Sequence, residues 1–269
     1  MNSDSSSSPS PWEPSAVGAV NQAAPAVGVS LQLDRLSFDD TIILEDFGLS
    51  LPAGQITCLL GPSGVGKSSI LKLLAGFIPL PAKSAITCDD GHGITNRASY
   101  MDQQDLLLPW ASSLENVVIG ARLRGEIPDL TRARKLLTEV GLQASSEALP
   151  NTLSGGMRQR VALARTLMDD SPIVLMDEPF SALDAITRFR LQDLAARLLK
   201  GKTVLLITHD PMEALRLGHV IHVMSGTPVS LSPPLRPEGA LPRDPASDAL
   251  KHHYSEIMAN LALSEPAYA

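Results

Sequence analysis

GPSGVGKSS, residues 61–69, is the stretch on which the reading of this chain turns. It matches G-x-x-x-x-G-K-[ST], with the apolar run ITCLL before it and a helical run, residues 68–76, after it. A buried strand that turns through glycines into a helix makes a phosphate cradle. The glycines let the backbone wrap a β-phosphate with its N–H groups pointing inward, and the helix N-terminus adds its positive end. Lys67 then offers a fixed charge to the β- and γ-phosphates, and Ser68 a hydroxyl to Mg2+. A plain glycine turn with an exposed lysine needs neither the flanking strand nor the helix.

On the N-terminal side, VSLQLDRLSF, TIILEDFGLSL and QITCLL alternate or run apolar, and LPAG (residues 51–54) marks a turn. These segments read as strands. Residues 83–104 are short, polar and turn-rich. From about 105 the pattern becomes helical: Ser112 and Glu115 form a capping box before LENVVIGARLRG, and a second helix is expected from Asp129 to Val140, stopped by Gly141. LSGGMRQR (153–160) opens a further helix to about Met168, with two glycines where a helix start gains least from them. The strand PIVLMDEP, a helix from Asp184 to Leu199, the strand TVLLITHD and a helix–strand pair over 211–224 follow. Apolar strands alternating with helices predict an α/β fold, a parallel sheet covered on both faces. Residues 226–269 are Pro-rich and weakly patterned and read as a tail. Residues 1–28, rich in Ser, Pro and Ala and free of Lys and Arg, read as a disordered extension with no secretory or transit signal.

Composition narrows the function. A chain of 269 residues with 44% hydrophobic content buries a sizeable core, and a net charge of −7 gives no general attraction to nucleic acid or anionic lipid. Cys58 and Cys88 form neither a disulfide framework nor a metal-ligand spacing, and Cys58 lies in an apolar run as a core residue; a reducing compartment fits. No apolar run reaches the roughly 18 residues that span a bilayer, so action at a membrane is expected to go through a partner.

In an open parallel sheet, ligands bind at the carboxyl ends of the strands. Asp177 and Glu178 close IVLMDE at such an end, and adjacent residues point in different directions. Asp177 is therefore assigned to Mg2+ through coordinated water, and Glu178 to polarising an attacking water. His209 ends the next apolar strand, where a polar group reaches a γ-phosphate. Gln103 or Gln104, at the entry to the helical insert, is placed to touch metal and water.

These motifs, in this order, resemble those of the ATP-binding cassette (ABC) ATPases over residues 29–225. The resemblance implies a P-loop NTPase with a RecA-like, mostly parallel core sheet, a small antiparallel β subdomain and a helical subdomain at about 105–168. It makes Gly61, Pro62, Ser63, Gly64, Val65, Gly66, Lys67, Ser68 and Ser69 the Walker A loop and Glu178 the catalytic carboxylate of Walker B. SALD (181–184) becomes the D-loop, His209 the switch histidine and Gln103, from its distance to LLPW, the Q-loop glutamine that also faces Mg2+. Phe38 stands where the family places an aromatic on adenine. LSGGMRQR resembles the family signature, with Met157 where Gln is commonest, a form familiar among importers and not read as inactivating. Two such domains pair head to tail, and Ser154, Gly155 and Gly156 then face the γ-phosphate held by the partner's Walker A.

The resemblance is nearest to the importer ATPases of the nitrate, sulfonate, taurine and thiamine-precursor group. LQDLAARLL and THDPMEALRLGHVIHVM lean towards hydroxymethylpyrimidine, the thiamine precursor. It implies ATP and Mg2+ as cofactors, a second copy and membrane permease subunits as partners, a solute-binding protein indirectly, and a peripheral place on the cytoplasmic face of the inner membrane. Trp110, beside Pro109 and near Leu106, is expected in the groove that receives a permease helix, with packing inside the insert as its alternative. A soluble ABC ATPase of DNA repair or translation is the competing reading. A cassette that binds nucleotide without hydrolysis is the third, and Lys67, Glu178 and His209 argue against it.

Overall fold

The computed structural model describes residues 26–38, 41–226 and 229–262; most of the expected N-terminal extension lies outside them. β1 (Val29–Phe38) and β2 (Thr41–Leu51) pair antiparallel, with Leu31, Leu33, Phe47, Leu49 and Leu51 alternating inward. β3 (Ile56–Leu60) is apolar or small at every position and buried at every position, as a central parallel strand requires. It feeds α1 (Lys67–Leu74). β4 (Ala85–Cys88) then returns to pair antiparallel with β1, giving a small sheet ordered β2-β1-β4.

After β5 (Ala98–Met101) the chain leaves the sheet for the helical insert. The expected capping box is present: Ser112 accepts from the Glu115 N–H, and the Glu115 carboxylate accepts from the Ser112 N–H. The helix it starts is not continuous. It divides into α2 (Ser113–Val117) and α3 (Ile119–Leu123), because the β-branched run Val117, Val118, Ile119 followed by Gly120 sustains an α-helix poorly. α4 (Leu130–Glu139) keeps the expected bounds, with the Asp129 side chain capping the Arg132 N–H. α5 (Gly155–Met168) closes the insert and packs Val161, Ala162, Leu163 and Ala164 into the core.

β6 (Ile173–Asp177), α6 (Ala185–Leu198), β7 (Thr203–Ile207), α7 (Pro211–Leu217) and β8 (Val220–Ser225) complete the alternation. The large sheet is ordered β5-β6-β7-β3-β8-β9, parallel except for the edge pair of β8 with β9 (Ser230–Leu231). The stretch beyond 226, expected to lack pattern, instead holds β9 and α8 (Asp248–Ala262), whose Leu250 and Ile257 enter the main core. Arg243 anchors it: the buried guanidinium donates to the carbonyls of Leu215, Gly218, Pro237 and Glu238. No described helix is long and apolar enough to cross a membrane.

Candidate active site

β6, β7 and β3 are neighbours in the sheet, with Asp177, Ile207 and Leu59 level across it. The loops that follow these strands therefore open side by side at one edge, which brings the three sequence motifs together.

The loop after β3 is held tightly. Gly66 caps α1 with φ 103°, and a Cβ there would stand 2.7 Å from Ile43 Cγ2, so no larger residue fits. No side chain caps the first N–H groups of α1, which leaves them for an anion. Lys67, only 6% exposed, folds over the loop and donates to the carbonyls of Gly61 (2.7 Å) and Pro62 (2.8 Å). Burial lowers its pKa, opposed by the nearby carboxylates of Glu178 and Asp177.

Asp177 ends β6 and is 3% exposed. Burial raises its pKa, and a hydrogen bond from Ser68 opposes that rise. A buried carboxylate next to a hydroxyl is a hard-oxygen donor pair, and a divalent cation would relieve the desolvation that disfavours its charge. Ser68 and Asp177 thus fit Mg2+.

Glu178 follows with φ 46°, a left-handed conformation that non-glycine residues seldom adopt. Its N–H donates to Ile207 O at 2.9 Å and its carbonyl accepts from Ser181 Oγ at 3.0 Å, so neighbouring chain holds the strained residue in place. The carboxylate takes the Gln103 amide on Oε2 (3.2 Å) and lies 3.1 Å from His209 Nδ1 on Oε1. Three residues far apart in sequence therefore meet at one carboxylate. Glu178 is mostly enclosed and His209 is 61% exposed, so the cluster is open on the histidine side. Of the two glutamines only Gln103 makes this contact, whereas the Gln104 N–H donates to Asp102.

Ser154 caps α5, its Oγ accepting from the Met157 N–H at 3.3 Å. Ser154 and Gly155 are exposed. A Cβ on Gly156 would sit 3.3 Å from Ala182 O, so the helix start lies close against the SALD segment. Among the described residues, no hydrogen bond joins residues 154–156 to the phosphate loop. The chain therefore presents two separate candidate anion sites.

Comparison with known proteins gives the family. The model of the ABC transporter family matches residues 44–181, about half of the chain. The chain belongs to the ABC transporter family. An aliphatic sulfonates import ATP-binding protein of Rhodococcus jostii is 39% identical over 243 residues, 90% of this chain and 96% of that one. A taurine import ATP-binding protein of Jannaschia sp. is 41% identical over 205 residues, covering 74% and 76% of the two chains. Among solved structures, an ATP-binding cassette in a dimeric post-hydrolysis state bound to ADP and Pi superposes with TM-score 0.69 at 28% identity. The match covers 78% of this chain and 99% of that one. The fold is that of a P-loop NTPase, and as an ABC cassette the chain binds and hydrolyses ATP.

In this cassette Phe38 is the last residue of β1, and its side chain lies outside the described residues. Sequence reasoning missed Gln159. Its buried amide donates to Pro179 O at 3.2 Å, fastening α5 to the turn that carries Glu178. The signal was present: Gln159 lies one turn from Gly155 and one from the buried Leu163, on the inward face of α5.

Proposed function

We propose that this cassette is the ATP-hydrolysing subunit of an importer for sulfonated organic anions, aliphatic sulfonates or taurine. The relatives' names favour this solute class, and they do not favour the thiamine precursor, so the alternative within the importer group moves ahead. They equally favour transport over a role in DNA repair or translation. The observation that carries the hydrolytic reading is the meeting of Gln103 and His209 on the Glu178 carboxylate beside Lys67.

In this reading the phosphate loop, residues 61–69, wraps the β-phosphate, and Lys67 leaves its loop carbonyls to reach the β- and γ-phosphates. Ser68, Asp177 and Gln103 face Mg2+, which when bound neutralises phosphate charge. Phe38 stacks on the adenine. Glu178 accepts the proton of a water as its oxygen attacks the γ-phosphorus; the bond to the bridging oxygen breaks, and ADP departs with that electron pair. His209 holds Glu178 and the γ-phosphate in register.

The second half of the site comes from another copy. Ser154, Gly155 and Gly156 meet the γ-phosphate on the partner's loop, in a head-to-tail dimer supported by the dimeric state of the similar cassette. The cassette docks on the permease at the cytoplasmic face of the membrane, and a solute-binding protein delivers the anion on the other side. Trp110 is 75% exposed instead of packed inside the insert, which supports the groove reading for it. A cleft of about 720 Å3 between β5 and the insert, lined by Tyr100, Ile119, Ile127 and Arg165, offers room for a permease helix.

Glu178→Gln tests the mechanism. Turnover is expected to fall by at least the 10²–10⁴-fold typical of a lost general base, roughly, while ATP still binds. Full turnover in this variant would refute the role of Glu178. Binding of taurine or an alkanesulfonate by the cognate solute-binding protein tests the solute, and exclusive binding of a pyrimidine would overturn it.

A further inference from the structure

Arg158 and Arg165 lie two turns apart on α5, the helix that Ser154 opens. Both reach the segment that follows Gln103. Arg158 Nε donates to Asp105 Oδ2 at 2.8 Å and Nη1 donates to Leu153 O at 2.9 Å. Arg165 forks across two carbonyls, to Leu106 O at 2.9 Å and Asp105 O at 2.8 Å. Leu106 itself has φ 44°, in the left-handed region, and is 56% exposed. The two carbonyl bonds from Arg165 fix that strained turn together with the Leu107 N–H, which donates to Asp105 Oδ1 at 3.3 Å. One residue from Arg158, Gln159 grips Pro179 O behind Glu178. A single helix thus holds the chain on both sides of the Gln103–Glu178 contact.

We propose that Arg158 and Arg165 are positioning residues for hydrolysis: acting through Asp105 and Leu106, they set the segment behind Gln103 so that its amide meets Glu178 only while α5 is seated. Any shift at the start of α5, a partner's phosphate at Ser154 included, is then felt at Gln103. The inference rests on the reading of Glu178 as the group that activates water. The Arg158–Asp105 pair is partly exposed, 37% and 28%, and pairs of that kind add little stability. Its loss therefore changes rate more than folding.

The test compares Asp105→Asn, Asp105→Glu, Arg158→Gln, Arg165→Lys, the double variant Asp105→Asn/Arg158→Gln and Glu178→Gln in the full chain. Steady-state ATPase, affinity for a fluorescent ATP analogue and thermal melting are measured for each. Asp105→Asn is expected to lower kcat about tenfold, within the range of a 1 Å misplacement, with affinity and melting little changed. Asp105→Glu keeps the carboxylate and most of kcat, while Arg165→Lys loses the fork and behaves like Asp105→Asn. The double variant loses no more than the worse single one, as residues acting through one contact do. Unchanged kcat in Asp105→Asn, or kcat falling together with affinity and melting temperature, overturns the inference. A dead Glu178→Gln beside a fully active Asp105→Asn sinks the positioning role alone, whereas an active Glu178→Gln sinks the reading of the site itself.

Discussion

Glu213 stands four residues past His209, on α7, with its carboxyl buried. Gln192 Nε2 donates to Oε2 at 3.3 Å and the Thr208 hydroxyl also donates to the carboxyl, but Oε1 has no partner. Burial pushes the pKa up to about 8 from an ordinary 4.5. Between those values the native state keeps a proton that the unfolded chain has lost. The stability due to the protonated form is complete below about pH 4.5 and is lost as pH rises through about 8. Glu213→Gln keeps the shape and removes the titration. Its melting temperature should exceed the wild type's at pH 8.5 by more than the about 2–4 °C that about 1 kcal/mol brings in a domain of this size, and come close to it at pH 4.5. An equal shift at both values in a scanning calorimeter would remove the carboxyl's titration from the account. Glu213 was invisible in the sequence because its burial depends on α6 and α7 meeting. Lys67, Asp177 and Glu178 were legible because strand ends and glycine spacing fix where they point. The pairing of Arg158 with Asp105, fifty-three residues apart, carries no local signal.

At the scale of elements, the segments with strong local chemistry kept their expected bounds. Asp129 and Gly141 bracket α4, Ser154 and Asp184 cap α5 and α6, and the buried runs of β3, β6 and β7 are strands throughout. α8 was missed because it rests on tertiary packing. Leu250 and Ile257 are its deeply buried residues, two turns apart, too few to make a periodic pattern after a Pro-rich stretch. That packing has a measurable consequence. Ile257, 1% exposed, lies in the core that α8 shares with α7 and β8. Ile257→Ala should destabilise the chain by about 2–5 kcal/mol in urea unfolding. A loss of only a few tenths would show the helix to be an appendage.

At the scale of the molecule, one chain carries two candidate anion sites, and in the proposed function each is half of what hydrolysis needs. The phosphate loop has Lys67, Ser68, Asp177 and Glu178 gathered beside it. The start of α5, with exposed Ser154 and Gly155, belongs to a different part of the fold. The family was legible from motif order alone. The solute was not, since the motifs quoted for it belong to elements that carry candidate-site residues or pack the core. In the proposed function, pairing of two copies completes both sites at once, with ATP as the joint. The most direct measurement is sedimentation of Glu178→Gln with ATP, with and without Ser154→Arg. Glu178→Gln should sediment as a dimer, and the Ser154→Arg double variant as a monomer that still binds ATP. A double variant that dimerises as before, or a monomer that has lost ATP, would contradict the shared site.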